Sequence, residues 1–439
     1  MKRRIMDRLV KWKDKGNRKP MFIFGSRHVG KTHLIKEFGK EFFNDMIYVN
    51  CESNVFTSDL FNSDVKFDVV VRQLEMIFNK PIDKKNTLIF FDEIEKNENA
   101  LKSLLNSRND NLEYYVTASM SYSAEAASKQ YALPLVDLDY ITLSPLSFDE
   151  FLVNTGNEEL LSDIWSSFNE KKPLSGLQHK KAFDLYYDYL VIGGFPEVVQ
   201  EYLDTSSVIS SIDVQKNIIE SFKSYMSREN TSAIAKKIIS AYESIPNQLF
   251  KKNKKFKYKL VENGGTSNLM EAPINYLIKS NIAYKCLKIE GLDSNKVSEN
   301  ENNFVIYMND VGLLTNMSEF PIYFIRNREA VNEKMFDMLS ENYVASSLSN
   351  NNMDLRFWKN NYDSHVDFIL KSEKGLLIPV DIKSNNSIKS RSLTNYMNEF
   401  KPRYGIRLST KNFSIKNNVI NIPLYAAFCL TSKNLDSLI

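Results

Sequence analysis

FGSRHVGKT, Phe24 to Thr32, puts glycines at 25 and 30 and the pair Lys31-Thr32 directly behind the apolar run PMFI, Pro20 to Ile23. The chain spends only 14 glycines on 439 residues, so two of them this close together ask for a local reason. The apolar run reads as a short buried parallel strand, and KTHLIKEFGKEF after it repeats Leu34, Phe38 and Phe42 at helical spacing. Between strand and helix, Gly25-Ser26-Arg27-His28-Val29-Gly30-Lys31-Thr32 satisfies G-x-x-x-x-G-K-[ST], a loop whose backbone N–H groups and following helix N-terminus cradle phosphates. Chance would supply that pattern in a chain this long with a frequency on the order of one per cent. The implied ligand is a nucleoside triphosphate with Mg2+. Residues 25–30 bring the backbone against it, Lys31 reaches the β- and γ-phosphates, and the Thr32 hydroxyl ligates the metal.

Working outward, such a site needs a buried strand that ends in an acid. TLIFFDE, Thr87 to Glu93, supplies consecutive strand-forming residues followed by Asp92, placed to hold Mg2+ through water, and Glu93, placed to orient or polarise an attacking water. LEYYVTAS, Leu112 to Ser119, is a further apolar strand ending in hydroxyls, and either Thr117 or Ser119 is positioned to sense the γ-phosphate. YVNCES, TLIFFDE, LEYYVTAS and VDLDYITL alternate with helical patterns such as FDVVVRQLEMIF, which predicts a doubly wound parallel α/β module over residues 1–150.

The chain as a whole is too long for one ordinary core and should be multidomain. Its 43% hydrophobic, 25% charged and 12% aromatic residues are globular values that exclude collagen, coiled coil and wholesale disorder. A formal net charge of +3 is too mild to argue nucleic-acid binding by itself, so that argument must rest on local clusters. The three cysteines, Cys51, Cys286 and Cys429, have neither a paired framework nor a metal-ligand spacing and suit a reducing cytoplasm. No run of apolar residues is long enough to span a membrane, so no membrane association is expected.

Residues 151–222 are rich in helical spacing, broken sharply at Gly193-Gly194 and Pro196. Over 223–320 the order helix, helix, strand points to a winged-helix-like connector. It contains KKNKKFKYK, in which Lys251, Lys252, Lys254, Lys255, Lys257 and Lys259 are interleaved with Phe256 and Tyr258. Such a mixture can neutralise phosphates and stack on bases, so DNA is the expected partner, reached through Lys251, Lys252, Lys254, Lys255 and Lys257. A solvated charged face is the competing reading, and a second copy of the chain or another protein is left open as a further partner.

In residues 321–439, HVDFILKSEKGLLIPVDIKS reads as two strands around EKG, with Gly375 at the left-handed position of a three-residue hairpin loop. That register pairs Ser372 with Leu376, sets Asp367 opposite Asp381 and puts Lys383 on the face of Asp381. Like charges placed directly opposite destabilise a sheet, so Mg2+ or Mn2+ between them is a physical reason for the pairing. Glu341, on the upstream helix EKMFDMLSENYVASSL, would complete the metal shell, and Lys383 would position or deprotonate a nucleophile in phosphodiester hydrolysis.

Taken together, RKPMFIFGSRHVGKT, IFFDE, VTAS, LSPLSFDEFL and GGFPEVV resemble the prokaryotic AAA-superfamily ATPases that carry a C-terminal nuclease-like domain. The likeness runs nearly end to end. It implies an α/β chain: an AAA-type P-loop core with a doubly wound parallel sheet, a helical lid over 151–222, a winged-helix-like connector and a restriction-endonuclease-like α/β domain. The C-terminal residues resemble the PD-(D/E)XK pattern, with Asp367 as first acid, Asp381-Ile382-Lys383 as the (D/E)XK and Glu341 as the helix-borne glutamate. The chain departs from the family at Ala118-Ser119, where Gly-Ser is usual, and at His365 and Asp381, where relatives often have EVDF and EVK. It also lacks an arginine in SKQYALPLVDLDYITLSPLSF, so Arg27 or an arginine elsewhere would have to serve as trigger. An intact residue set does not by itself make such a domain cut DNA, and retention for binding alone is the second reading.

Overall fold

In the computed structural model, described over residues 1–16, 18–52, 67–106, 113–293, 296–318, 333–360, 364–383 and 391–438, two units separate by their internal contacts: Met1–Ser144 with Lys279–Asn281, and Pro145–Ile278 with Ile282–Ile439. The expected boundary at 320/321 lies outside the described residues.

The first unit is built on five strands, β1 (Met21–Phe24), β2 (Asp45–Asn50), β3 (Thr87–Asp92), β4 (Tyr115–Met120) and β5 (Asp139–Thr142). They stand in the order β2-β3-β4-β1-β5, and every neighbouring pair is parallel. Parallel pairing needs crossovers, and among the described residues helices supply them: α1 (Met6–Lys13) precedes β1, and α2 (Lys31–Phe42), α3 (Phe67–Phe78), α4 (Glu98–Asn106) and α5 (Ala124–Tyr131) follow. Each residue of β1 and β3 is buried, which is why both read as continuous apolar runs instead of alternating ones. Phe22, Phe24, Val49, Phe91 and Val116 share a core with Val70 and Leu74 of α3 and Leu101 and Leu104 of α4. The carboxyl ends of β1 and β3 carry the phosphate loop and the acid pair, the edge where open α/β sheets bind ligands.

The second unit begins with helices: α6 (Phe148–Asn154), α7 (Glu158–Glu170), α8 (Gly176–Ile192), α9 (Pro196–Thr205), α10 (Val208–Glu229), α11 (Ser232–Leu249) and α12 (Ser267–Lys279). Ser147 and Glu150 of SPLSFDEF form a capping box that starts α6. The long hairpin β6 (Ala283–Asp293) and β7 (Lys296–Met308) leads into α13 (Val311–Met317) and α14 (Glu333–Asn350). Then come β8 (Arg356–Lys359), β9 (His365–Val366), β10 (Phe368–Lys371), β11 (Leu377–Lys383), α15 (Arg391–Phe400), β12 (Gly405–Ser409), β13 (Ser414–Lys416), β14 (Val419–Pro423) and α16 (Ser432–Leu435). Two mixed sheets result, β7-β6-β8-β9 and β10-β11-β12-β14-β13. The helix, helix, strand order expected over 223–320 is present as α11, α12 and the β6–β7 hairpin. However, β6 goes on to pair in parallel with β8, a connection that a winged helix does not require.

The second hairpin follows its glycine. Gly375 has φ +84°, Ser372 N–H donates to Leu376 O at 2.9 Å, and Phe368 pairs with Val380, which is the expected register; Asp367 lies one residue before the first of these pairs. All three cysteines are buried and unbridged. Among the described residues, no helix is long and apolar enough to cross a membrane.

Candidate functional site

The loop between β1 and α2 is shaped by its glycines. Gly25 has φ +149°, and a Cβ there would meet Leu143 O at 2.1 Å; Gly30 has φ +91° and caps α2. Ser26 and Val29 are buried, and His28 takes a left-handed φ of +65°. The buried Lys31 ammonium donates to Gly25 O and Ser26 O, each at 2.9 Å, and to Ser121 Oγ at 3.1 Å. Burial pulls its pKa down to about 8, against the opposing pull of Glu95, Glu93 and Asp92.

Asp92, at the end of β3, gathers the hydroxyls around it. Thr32 Oγ1 donates to its Oδ2 at 2.8 Å, Tyr48 OH donates to the same oxygen at 3.0 Å, and Ser119 Oγ donates to Oδ1. Ser119 Oγ also accepts from Glu93 N–H at 3.0 Å, so one hydroxyl ties both acids to the end of β4. Thr117 instead donates to Ile89 O at 3.3 Å inside the sheet, which leaves Ser119 as the hydroxyl of that strand at the site. Glu93 takes a left-handed φ of +52° and receives Arg27 Nη2 on Oε2 at 2.8 Å. Burial raises its pKa to about 7, with Arg27 the main opposing influence. Thr32 and Asp92 offer hard oxygen donors side by side and fit Mg2+.

The second constellation lies wholly in the second unit, around a cavity of about 600 Å3. Glu341 of α14, whose side chain is only 6% exposed, bonds Lys254 Nζ through Oε2 and accepts from Tyr307 OH through Oε1. Asp367 Oδ2 accepts from Ile382 N–H at 2.7 Å, while its Oδ1 lies 3.4 Å from His365 Nε2. Asp381 Oδ1 lies 3.1 Å from Lys383 Nζ. Burial pushes the Asp367 pKa upward, but the hydrogen bond and charge of His365, with Lys383 and Lys254, hold it below the usual carboxylate value. For the two lysines burial works against the charge, and Glu341 beside Lys254 and Asp381 beside Lys383 outweigh it, so both stay above the ordinary lysine value. Among the described residues, no three or more His, Cys, Asp or Glu side chains converge closely enough to hold a metal ion. The Mg2+ or Mn2+ shell expected of Glu341, Asp367 and Asp381 is not gathered in this structure, where Lys254, His365 and Lys383 stand against the three carboxylates in turn.

The lysine-rich segment is divided in its duties. Lys251, Lys252, Lys255 and Lys257 are exposed, whereas Lys254 reaches inward to Glu341. Phe256 corrects the expectation of base stacking. It is buried, donates its backbone N–H to Phe304 O at 2.8 Å and stacks on the Phe304 ring at 5.6 Å, so it anchors the segment to β7.

Residues 17–152 match the family described as AAA domain. This part of the chain is an AAA-type ATPase domain. Residues 183–321 and 336–426 match two families described only as domains of unknown function, DUF8612 and DUF4143. Comparison with curated proteins gives no match. Among solved structures, the Walker-type ATPase paby2304 of Pyrococcus abyssi is similar at 13% identity and a TM-score of 0.43, covering 72% of this chain and 95% of that one. Cdc6p from Pyrobaculum aerophilum is similar at 12% identity and a TM-score of 0.25, covering 73% of this chain and 91% of that one.

Within the AAA domain, three contributors escaped the sequence reading. Tyr48 meets Asp92 from β2; Ser121 receives Lys31; and Glu95 accepts Ser121 N–H at 2.8 Å. Ser121 had a signal, since it follows Ser119 at the strand period of two and so shares its face. Tyr48 and Glu95 had none beyond their closeness to recognised strand ends. Arg27 was grouped with the phosphate-contacting backbone, and its guanidinium pairs with Glu93 of the AAA domain and lies 3.6 Å from Glu52.

Proposed function

We propose that the chain couples Mg2+-dependent ATP binding and hydrolysis in its AAA domain to DNA binding by the lysine-rich and C-terminal segments. In this reading residues 1–150 are the ATPase core, 151–222 a lid, 223–320 a connector and 321–439 a PD-(D/E)XK-like domain. The observation that carries it is the convergence of Lys31, Thr32, Asp92, Glu93 and Ser119 at the ends of β1, β3 and β4. Lys31 leaves its carbonyl acceptors for phosphate oxygens, which are stronger partners for an ammonium. Thr32 and, through water, Asp92 would hold Mg2+, which would supply charge neutralisation at the phosphates. Ser119 keeps Asp92 and Glu93 in register, and Glu93 accepts the proton of the attacking water.

For the C-terminal domain, the pairing of every candidate metal acid with a protein cation or donor favours the binding reading over cleavage. Lys31→Ala should lower ATP affinity at least about tenfold by calorimetry, on the scale of a lost charge-assisted bond. Glu93→Gln should keep affinity and lose roughly a hundredfold in turnover. Unchanged ATP affinity, or equal turnover, would remove the respective assignment. Supercoiled and linear DNA incubated with protein, Mg2+ or Mn2+ and ATP should be retarded and stay intact. Cutting that disappears in both Asp381→Ala and Lys383→Ala would replace the binding reading with a nuclease.

A further inference from the structure

The second-unit cavity is lined by six lysines and three carboxylates, Asp337, Glu341 and Asp367, an excess of positive charge. Lys254 neutralises Glu341. It enters from a segment 87 positions away from Glu341 and bonds one carboxylate oxygen, while Tyr307 takes the other. Each oxygen of Glu341 thereby has a partner in the protein, and an ion that approaches Oε2 meets an ammonium already in place. An ammonium carries three donors, so one engaged with Glu341 has others to offer, and it binds phosphate as a point charge. Lys383, held by Asp381, stands at the same cavity, and Lys252, Lys255, Lys288 and Lys359 continue the positive lining.

We propose that Lys254 is a tethered cation standing where a divalent ion would stand, and that this cavity binds a nucleic-acid phosphodiester without metal. The proposal rests on the reading that the second unit engages DNA, and it adds how the backbone is held and why no ion is required. Lys254 and Lys383 face the phosphate, Glu341 and Asp381 hold those two ammonium groups in place, and the lining lysines follow the strand on either side.

The test uses the full chain without nucleotide and a short labelled DNA duplex, with affinity measured by anisotropy in EDTA and in Mn2+. Wild-type affinity should be the same in both. Lys254→Ala should bind about tenfold or more weakly in EDTA, the cost of one missing charge-assisted bond. Mn2+ should restore its binding. Counted by electron paramagnetic resonance, Mn2+ should occupy one more site on Lys254→Ala than on wild type, and adding Glu341→Gln should remove that site. Wild-type DNA binding that needs Mn2+, or a Lys254→Ala protein that gains no Mn2+ site, overturns the proposal. If wild type binds no DNA in either buffer, the DNA reading fails, while the Mn2+ count still decides whether Lys254 stands in for an ion. Lys254→Met, checked by circular dichroism, repeats the count should the alanine variant misfold, and the two wild-type arms require no substitution.

Discussion

Glu93 carries a charge that its surroundings resist. Burial lifts its pKa to about 7, Glu95 and Glu52 push the same way, and Arg27 and Lys31 pull it back. A group that must be ionised to accept a proton works above its pKa, so turnover should rise as pH passes through about 7. Arg27→Ala removes the largest downward influence. The pKa of Glu93 should then climb, and the rising limb of the kcat profile should move to more alkaline pH. Glu93→Gln should abolish the limb altogether. A limb that stays in place in Arg27→Ala would show that the guanidinium does not govern this carboxylate. Lys31 makes a complementary case at the same scale: its pKa of about 8 reflects burial among carbonyls and a hydroxyl, so part of its charge is lost at mildly alkaline pH. ATP affinity should therefore weaken as pH rises past about 8, a trend that calorimetry across pH would measure.

Two glycines show how differently turns use the same residue. At Gly25 the backbone is left-handed and Leu143 O stands 2.1 Å from where a Cβ would be; at Gly375 φ is +84° but nothing lies within 4 Å. Gly25→Ala must therefore displace the backbone that joins β1 to β5, through the Leu143 N–H to Phe24 O bond of 2.7 Å, and should cost ~1–3 kcal/mol. Gly375→Ala meets only the conformational penalty of a left-handed residue, roughly 1 kcal/mol. Thermal melts should rank them in that order, and equal melting shifts would mean that the steric contact at Leu143 relaxes freely. The hairpin at Gly375 was legible in sequence because period-two alternation and a single glycine fix register locally, and Phe368 does pair with Val380. The strands of the AAA domain were legible for a related reason: β1 and β3 are buried on every side and so are written as unbroken apolar runs. What stands against Glu341 was not legible. The Lys254 contact joins residues 87 positions apart, and a lysine in a charged run gives no sign that it will turn inward. Phe256 misled for the mirror reason, since an aromatic among lysines looks exposed until Phe304 is found beneath it.

At the scale of the chain, the proposed function makes a claim that neither unit can satisfy alone: ATP and DNA must alter one another's binding. Linkage requires the effect to be reciprocal, so whatever factor ATP applies to DNA affinity, DNA must apply to ATP affinity. Glu93→Gln is the suitable background, because it should hold ATP without consuming it. Anisotropy with and without ATP, and calorimetry with and without DNA, should return the same factor. Lys31→Ala should leave DNA affinity in place but make it indifferent to ATP. Neutralising the exposed Lys252, Lys255 and Lys257 should leave ATP affinity in place while weakening DNA binding. It should also reduce the slope of log affinity against log salt by about 0.9 for each duplex phosphate that is no longer neutralised. An unchanged slope would return those lysines to the role of a solvated face. Two affinities that ignore each other would break the coupling while leaving both sites intact, and the chain would then be an ATPase and a DNA-binding protein joined only by covalent connection.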